Sequence, residues 1–268
     1  MTLGLALICA MALTAPAMAH NFTASRLPKA LSEELPGKTK GFSVESEKLT
    51  GERNQQLKFG GFEILCAAKA HANTIGEGAV TWATSTTFST EVVFTKCLTV
   101  VHFGGNVTGG LPTRFSVNLE THKVEPLKIV YHQNGFTEIG TGETEGEVEI
   151  APGAASFGIA PKICQIEWPA QTVPIGAIKK PEAEYSAAKF SNKFVPVEEK
   201  LQKNFPPKGE QERLLIANAF KGMEWRFLGG QCLGEGGFEQ EAKKTEGKTA
   251  SYTGTLEELI PGGNLGFE

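Results

Sequence analysis

Apolar and polar residues alternate in short stretches along most of the chain, which is the pattern of β-strands with one buried face. Residues 62–66 place Phe, Ile and Cys at period two, so these three side chains share one face. Val92 and Phe94 repeat this spacing before Cys97. We therefore predict two half-buried strands, each ending in a cysteine, at the centre of the fold.

One stretch, residues 210–220, fits either a helix of about three turns or a strand. Read at period two, one face of this stretch carries Leu214, Ile216, Asn218 and Phe220. The following residues 224–227 come after a predicted turn at Gly222 and read as a strand. We therefore predict a strand for residues 210–220 as well.

These signals recur with glycine and proline turns between them, which gives roughly ten to twelve short strands. The 31 Gly and 14 Pro agree with many turns and few long helices. We predict an all-β fold, an antiparallel sandwich or barrel, forming a single domain from residue 20 to residue 268. Within it, residues 179–209 are charged and contain Pro196, Pro206 and Pro207, which indicates a long connection.

The chain begins with an apolar run from Leu3 to Leu13, which is too short to cross a bilayer because a spanning helix needs about 20 residues. Pro16 and the triplet Ala17-Met18-Ala19 follow, as in a secretory signal peptide, although no Lys or Arg precedes the run. We predict that residues 1–19 are a cleaved signal peptide and that the protein is secreted or displayed at the cell surface. We predict no membrane span after cleavage.

Apart from Cys9, the cysteines are Cys66, Cys97, Cys164 and Cys232. An even number in an exported chain favours two disulfides. Four cysteines allow three pairings, and their order and strand context favour Cys66–Cys97 together with Cys164–Cys232. No two of them have the short spacing of a zinc site, so a bound metal is not favoured.

Charge and motifs narrow the range of functions. The net charge is −4 and the basic residues are scattered, so we predict no nucleic-acid partner. The chain has no G-x-S-x-G, H-E-x-x-H, P-loop or G-x-G-x-x-G motif, and we predict no cofactor. The favoured function is a non-catalytic binding or structural module at the cell envelope, with an envelope glycan or protein as the candidate partner.

His20 supports an alternative function. After cleavage it would be the N-terminal residue and would offer its α-amine and imidazole to one metal. Copper monooxygenases that attack polysaccharides use this arrangement with a second histidine. The candidate second ligands are His71, His102, His122 and His132. The simpler interpretation is that His20 is merely the residue after the cleavage site, and a copper-dependent oxidative enzyme stays the alternative.

Four carboxylates at period two, Glu143, Glu145, Glu147 and Glu149, would line one face of a strand. They could bind calcium, but calcium loops normally mix Asp, Asn and Gly, so we favour a solvated edge strand.

The tryptophans Trp82, Trp168 and Trp225 could stack on sugars, but aromatic residues on strands are more often core residues, and we favour core packing. A pair of Asp or Glu residues for glycoside hydrolysis has no characteristic spacing along a sequence. A carbohydrate-active hydrolase is therefore a second alternative.

Five further features occur together: Phe22-Thr23-Ala24-Ser25 after the signal peptide, a strand ending in Cys66, Phe94-Thr95-Lys96-Cys97, Cys164-Gln165-Ile166 with Pro169-Ala170-Gln171, and Ser251-Tyr252-Thr253-Gly254-Thr255. In this combination the chain resembles a group of uncharacterised exported proteins of high-GC soil actinobacteria. The resemblance implies export, β structure and paired cysteines, and it implies no activity. The charged residues 179–209 depart from the compact pattern of that group.

Overall fold

The computed structural model describes residues 21–26, 45–46, 53–72, 82–106, 112–132, 145–176, 186–197, 210–230, 246–260 and 262–267. These residues form sixteen β-strands and no helix, which confirms the predicted all-β class. Accordingly, this part of the chain has no helix long and apolar enough to cross a membrane. The signal peptide predicted for residues 1–19 lies outside the described residues.

The strands in chain order are β1 (Phe22–Arg26), β2 (Glu45–Ser46), β3 (Gln55–Phe59), β4 (Phe62–Ala72), β5 (Trp82–Ser85), β6 (Thr87–Asn106), β7 (Pro112–Val124), β8 (Leu127–His132), β9 (Glu145–Ile150), β10 (Gly153–Ile159), β11 (Lys162–Trp168), β12 (Gln171–Gly176), β13 (Ala187–Pro196), β14 (Glu210–Gly230), β15 (Gly247–Leu259) and β16 (Gly263–Phe267). Thirteen of them form one sheet, and β16, β1 and β5 form a second sheet in that order. All the described pairings are antiparallel, as predicted.

Two strands are much longer than predicted, because β6 has 20 residues and β14 has 21. The strand predicted for residues 210–220 is confirmed, and its period-two face is buried. The turn predicted at Gly222 is wrong. Gly222 adopts a positive φ of 74° at a point where the pairing of β14 with β15 shifts register, so the glycine forms a bulge and the strand continues.

The pairings close a circuit of eight strands. In order around the circuit these are β3, β4, β6, β7, β10, β11, β14 and β15, and β15 pairs again with β3. The long strands also pair with strands outside the circuit: residues 87–92 of β6 pair with β8, and residues 210–219 of β14 pair with β13. The long strands β6 and β14 therefore connect the eight-strand circuit to a second group of strands, β8, β9, β12 and β13.

Strand β13 corrects one prediction. It lies inside residues 179–209, which were predicted to be a connection, and it pairs with β14 over ten residues. Its inward side chains Ala188 and Phe190 are buried, whereas residues 191–194 are exposed. Only these two of its apolar residues are buried, and the lysines beside them obscure the period-two pattern.

Aromatic rings pack together in the core: Tyr252 contacts Phe94 and Phe220, and two larger groups contain five rings each. The first aromatic group consists of Phe59, Phe62, Phe157, Trp168 and Trp225, with ring centroids 4.9 to 5.9 Å apart. The second aromatic group consists of Phe22, Phe88, Tyr131, Phe190 and Phe267, at 4.9 to 6.3 Å. Core packing is therefore confirmed for Trp168 and Trp225, whereas the side chain of Trp82 lies outside the description.

The predicted disulfide between Cys66 and Cys97 is confirmed and joins β4 to β6. It lies where the pairing of the two strands shifts register between Leu65 and Ala67, and where Lys96 has a positive φ of 52°. The covalent bond therefore holds the strands together at the place where the backbone ladder is interrupted.

Cys164 is also disulfide-bonded, but its partner lies outside the described residues. Cys164 lies on β11 opposite Gly230 of β14, which is two positions before Cys232 in the chain. Cys232 itself lies outside the described residues, so the second pairing stays a prediction.

Candidate functional site

The histidines predicted as copper ligands do not form a metal site in the described part of the chain. His20 and the side chain of His71 lie outside the description. His122 Nε2 is 3.2 Å from the carbonyl oxygen of Gly158, and His132 Nε2 is 2.9 Å from Glu149 Oε1. Among the described residues no three His, Cys, Asp or Glu side chains are grouped as metal ligands. The copper enzyme stays a prediction that depends on His20.

The glutamates predicted to line one face of a strand lie on β9, as far as that strand is described. Glu147 and Glu149 are exposed, whereas Val148 and Ile150 on the other face are buried. The predicted alternation is therefore confirmed for these four residues. Glu143 and the side chain of Glu145 lie outside the description.

His102 takes part in a polar arrangement on the outer face of the sheet. Its Nδ1 lies 2.9 Å from Ser116 Oγ on β7, and its Nε2 lies 3.4 Å from Glu63 Oε2 on β4. A serine, a histidine and a carboxylate in a row can act in hydrolysis, but a hydrolase also needs donors for an oxyanion. The N–H groups of these paired strands are engaged in the sheet, so a polar surface contact fits better.

The interior contains a set of polar side chains that the sequence analysis did not single out as a site. We call it the buried polar cluster, and it consists of Gln55, Thr90, Tyr131, Asn218, Tyr252 and Glu258. Each of these residues is at most 3% exposed. They come from five strands, β3, β6, β8, β14 and β15. The cluster is the largest departure from an apolar core in the described part of the chain.

Three hydrogen bonds organise the cluster. The Tyr131 hydroxyl donates to Asn218 Oδ1 at 2.8 Å, and the Thr90 hydroxyl donates to Glu258 Oε1 at 2.7 Å. Neither bond joins neighbouring strands, because β8 does not pair with β14 and β6 does not pair with β15. Both therefore cross the interior and tie opposite walls together.

The third bond joins the neighbouring strands β15 and β3, where the Tyr252 hydroxyl donates to Gln55 Oε1 at 2.6 Å. Gly254 makes room for it. A Cβ atom at Gly254 would collide with the Gln55 amide and lie 2.9 Å from the Tyr252 hydroxyl. Gly254 also lies opposite Asn218 in the pairing of β15 with β14. The glycine is therefore a packing requirement of the cluster.

Burial dominates the electrostatics of the cluster. It raises the pKa of Tyr131 and Tyr252 well above the usual range, with a further rise from neighbouring acidic groups. Burial also raises the pKa of Glu258 to about 7, although the hydrogen bond from Thr90 opposes the rise. None of the six residues is cationic, so the cluster offers the Glu258 carboxylate no opposite charge.

The adjacent Glu257 has the opposite environment. Its Oε2 lies 2.8 Å from Lys193 Nζ, and its Oε1 lies 3.2 Å from Arg213 Nη1. Burial by itself would raise the pKa of Glu257, but the two cationic partners lower it overall. Successive residues of a strand point to opposite faces. Glu257 therefore lies on the face that carries Lys193 and Arg213, whereas Glu258 points into the uncharged interior.

The sequence carried a partial signal of this cluster. Asn218 is the single amide on the predicted face formed by Leu214, Ile216 and Phe220. Glu258 falls at period two after Tyr252 and Leu256 on β15. A polar residue on an otherwise apolar face is the signal that could have identified both. Thr90 likewise falls at period two between Phe88 and Val92 on β6, and Gln55 is in phase with Leu57 and Phe59 on β3. The sequence does not indicate which of these polar groups meet, because that depends on which strands meet in space.

Comparisons with known proteins give no further assignment: no family model, no curated protein and no solved structure matches the chain. The resemblance to exported actinobacterial proteins therefore stays a prediction from the sequence. The function must be argued from the site geometry and from the disulfide.

Proposed function

We propose that the protein is a non-catalytic β module that acts outside the cell, in a binding or structural role at the cell envelope. The observation that carries the proposal is the Cys66–Cys97 disulfide, because disulfides persist in oxidising compartments such as the cell exterior. The signal peptide predicted for residues 1–19 supports the same location. The partner in this proposal is an envelope glycan or protein.

The use of the polar side chains supports a non-catalytic role. A catalytic group must be reachable by its substrate, and catalytic sites lie in clefts. The members of the buried polar cluster are closed off from solvent and bonded to one another. Their arrangement favours a role in holding the fold, which leaves the outer surface for contact with a partner.

We also infer that the eight-strand circuit closes as a barrel. Each sheet of a sandwich ends in edge strands, whereas β3 is paired on both sides, with β4 and with β15. A circuit without free edges resists edge-to-edge association, which suits a protein exposed outside the cell.

The location is tested by expressing the full chain in a secreting bacterial host. We expect the protein in the envelope fraction or the medium, with His20 as its first residue by mass spectrometry and with Cys66 and Cys97 oxidised. A matched chain that starts at His20 after an initiator Met should stay in the cytoplasm with reduced thiols. Recovery of the full chain from the cytoplasm with Met1 intact would contradict the proposal.

The binding role is tested by co-sedimentation of the oxidised protein with insoluble envelope glycan. Cellulose serves as the unrelated polymer, and disulfide-reduced protein serves as the matched control. We expect retention on the envelope material and no soluble products. Release of sugar fragments or of oxidised chain ends would show catalysis and would reject the non-catalytic proposal.

A further inference from the structure

Glu258 is a buried carboxyl without a compensating charge. Its residue is 0% exposed, its Oε1 accepts the hydrogen bond from Thr90, and its Oε2 has no hydrogen-bond partner among the described residues. A buried carboxylate is costly unless a cation or several donors stabilise it. With a single hydroxyl donor, the neutral form of this carboxyl is the one that suits the interior.

The groups around Glu258 reinforce this conclusion. The described titratable side chains nearest in charge interaction are the hydroxyls of Tyr131 from β8 and Tyr252 from β15. Burial and the Glu258 charge raise the pKa of both tyrosines, so both are neutral hydroxyls and neither is a cation. The residue opposite Glu258 is Leu214 on β14 and Ser46 on β2, so neither strand places a charge opposite it. The side chain of His71, on the neighbouring β4, lies outside the description.

The charged residues next in sequence lie on other faces. Glu257 is paired with Lys193 and Arg213 on the opposite face of β15. Glu91, next to Thr90 on β6, lies 3.8 Å from Lys128 at the outer surface. These cations are already paired with carboxylates there, so they do not supply the missing charge inside.

We propose that Glu258 is an internal proton-binding site, and that release of its proton to solvent loosens the ties that cross the interior between β6 and β15 and between β8 and β14. In the protonated form, Thr90 donates to Oε1 and the carboxyl is neutral. In the ionised form, a buried charge has the Thr90 hydroxyl as its single donor among the described residues. Water must then enter to solvate it, and entry requires the walls to separate.

The range of pH in which this occurs follows from burial, which raises the pKa of Glu258 to about 7. Glu258 is therefore protonated in a mildly acidic medium and loses its proton above neutral pH. An extracellular protein meets both conditions. The proposal goes beyond the envelope role proposed above, and it holds or fails whatever the partner is.

The test is hydrogen exchange of the full-length oxidised protein at pH 5.5 and pH 8.5, corrected for intrinsic exchange rates. The measured quantity is the equilibrium constant for the local opening that exposes the backbone amides of residues 88–92 and 252–258. We expect this constant to be roughly 30-fold larger at pH 8.5 than at pH 5.5, because linkage requires this ratio for a carboxyl with a pKa near 7 in the closed state and near 4.5 in the open state. In Glu258→Gln, which is neutral at both pH values, the ratio should fall to about one. An equal pH dependence in both proteins would overturn the proposal.

Two further variants on β6 provide the matched control. Thr90→Val removes the hydrogen bond that favours the ionised form, so the pH dependence should shift to higher pH. Thr99→Val removes a partly buried hydroxyl–hydroxyl bond, to Thr121 at 2.8 Å, from the same strand and should leave the pH dependence unchanged. Equal effects of the two variants would count against the proposal.

If Glu258→Gln does not fold, the wild-type carboxyl can be followed directly by carbon NMR. A midpoint near 7 for Glu258 agrees with the proposal, whereas a midpoint near 4.5 overturns it.

Discussion

At the scale of single residues, neighbouring positions of one strand have unrelated environments. Glu257 and Glu258 are adjacent and both buried, but Glu257 is held by Lys193 and Arg213, and Glu258 accepts a hydrogen bond from a threonine hydroxyl. The alternation of side chains in a strand produces this difference without any change in the backbone. Residue identity alone therefore does not indicate whether a carboxyl is charged in this protein.

Gly254→Ala tests the packing of the buried polar cluster. The added Cβ would collide with the Gln55 amide, so we expect the free energy of unfolding to fall by about 1–3 kcal/mol, as is usual for overpacking. Urea denaturation measures the change. Gly61→Ala is the matched control, because a Cβ there makes only an ordinary contact of 3.7 Å. Equal destabilisation by both variants would contradict this account.

At the scale of elements, the long strands β6 and β14 organise the molecule. Each pairs with different neighbours along its length, and so each belongs both to the eight-strand circuit and to the second group of strands. Bulges at Lys96 and Gly222 let these strands bend without ending. Gly222, from which the sequence predicts a turn, is therefore a bend inside the continuous strand β14.

Phe190→Ala tests whether β13 is a core strand. The Phe190 ring contacts Phe22, Tyr131 and Phe267 in the second aromatic group, so its removal should lower the free energy of unfolding by about 3–5 kcal/mol. The control is Phe194→Ala, the same change on the same strand at a side chain that is 61% exposed, with an expected effect within about 0.5 kcal/mol. Similar losses in both variants would argue against the position of β13.

The second disulfide is a prediction at the same scale. The register of β11 on β14 brings Cys164 opposite Gly230, so Cys232 is the cysteine expected to bond with it. Peptide mapping under non-reducing conditions should recover one fragment that joins the peptides of Cys164 and Cys232. Recovery of the Cys164 and Cys232 peptides as separate, unlinked species would disprove this pairing.

At the scale of the whole molecule, Glu257 should limit stability at acidic pH and Glu258 should limit stability at alkaline pH. The lowered pKa of Glu257 contributes stability above pH 4.5 that is lost as the medium becomes more acidic. The raised pKa of Glu258 contributes stability that is complete below pH 4.5 and is lost as the pH rises through about 7. The protein should therefore be most stable in a mildly acidic medium.

Urea denaturation between pH 3 and pH 9 measures this profile. For Glu258 we expect a loss of about 3 kcal/mol between pH 4.5 and pH 7, since one pKa unit corresponds to about 1.4 kcal/mol. Glu258→Gln should flatten the alkaline side of the profile, and Glu257→Gln should flatten the acidic side. A profile that rises steadily from pH 4.5 to pH 8 would contradict the assigned environments.

The alternation of apolar and polar residues was sufficient to predict the all-β class and the strand over residues 210–220, and the preference of strand aromatics for the core predicted the burial of Trp168 and Trp225. These features are local, because period-two spacing determines which side chains share a face. The strand β13 was missed because only two of its apolar residues, Ala188 and Phe190, are buried and lysines lie beside them. The Cys66–Cys97 pairing was favoured by order and strand context, but its position at a bulge became evident only in the structure.

The closed circuit and the buried polar cluster were decided by the tertiary structure alone. Thr90 and Glu258 are 168 positions apart in the chain, and no spacing rule links them. Their contact exists because β6 and β15 face each other across the interior, which depends on the order in which sixteen strands pair. The sequence by itself thus determined which faces are buried, and only the tertiary structure decided which buried groups meet, because that depends on long-range pairing rather than on local periodicity.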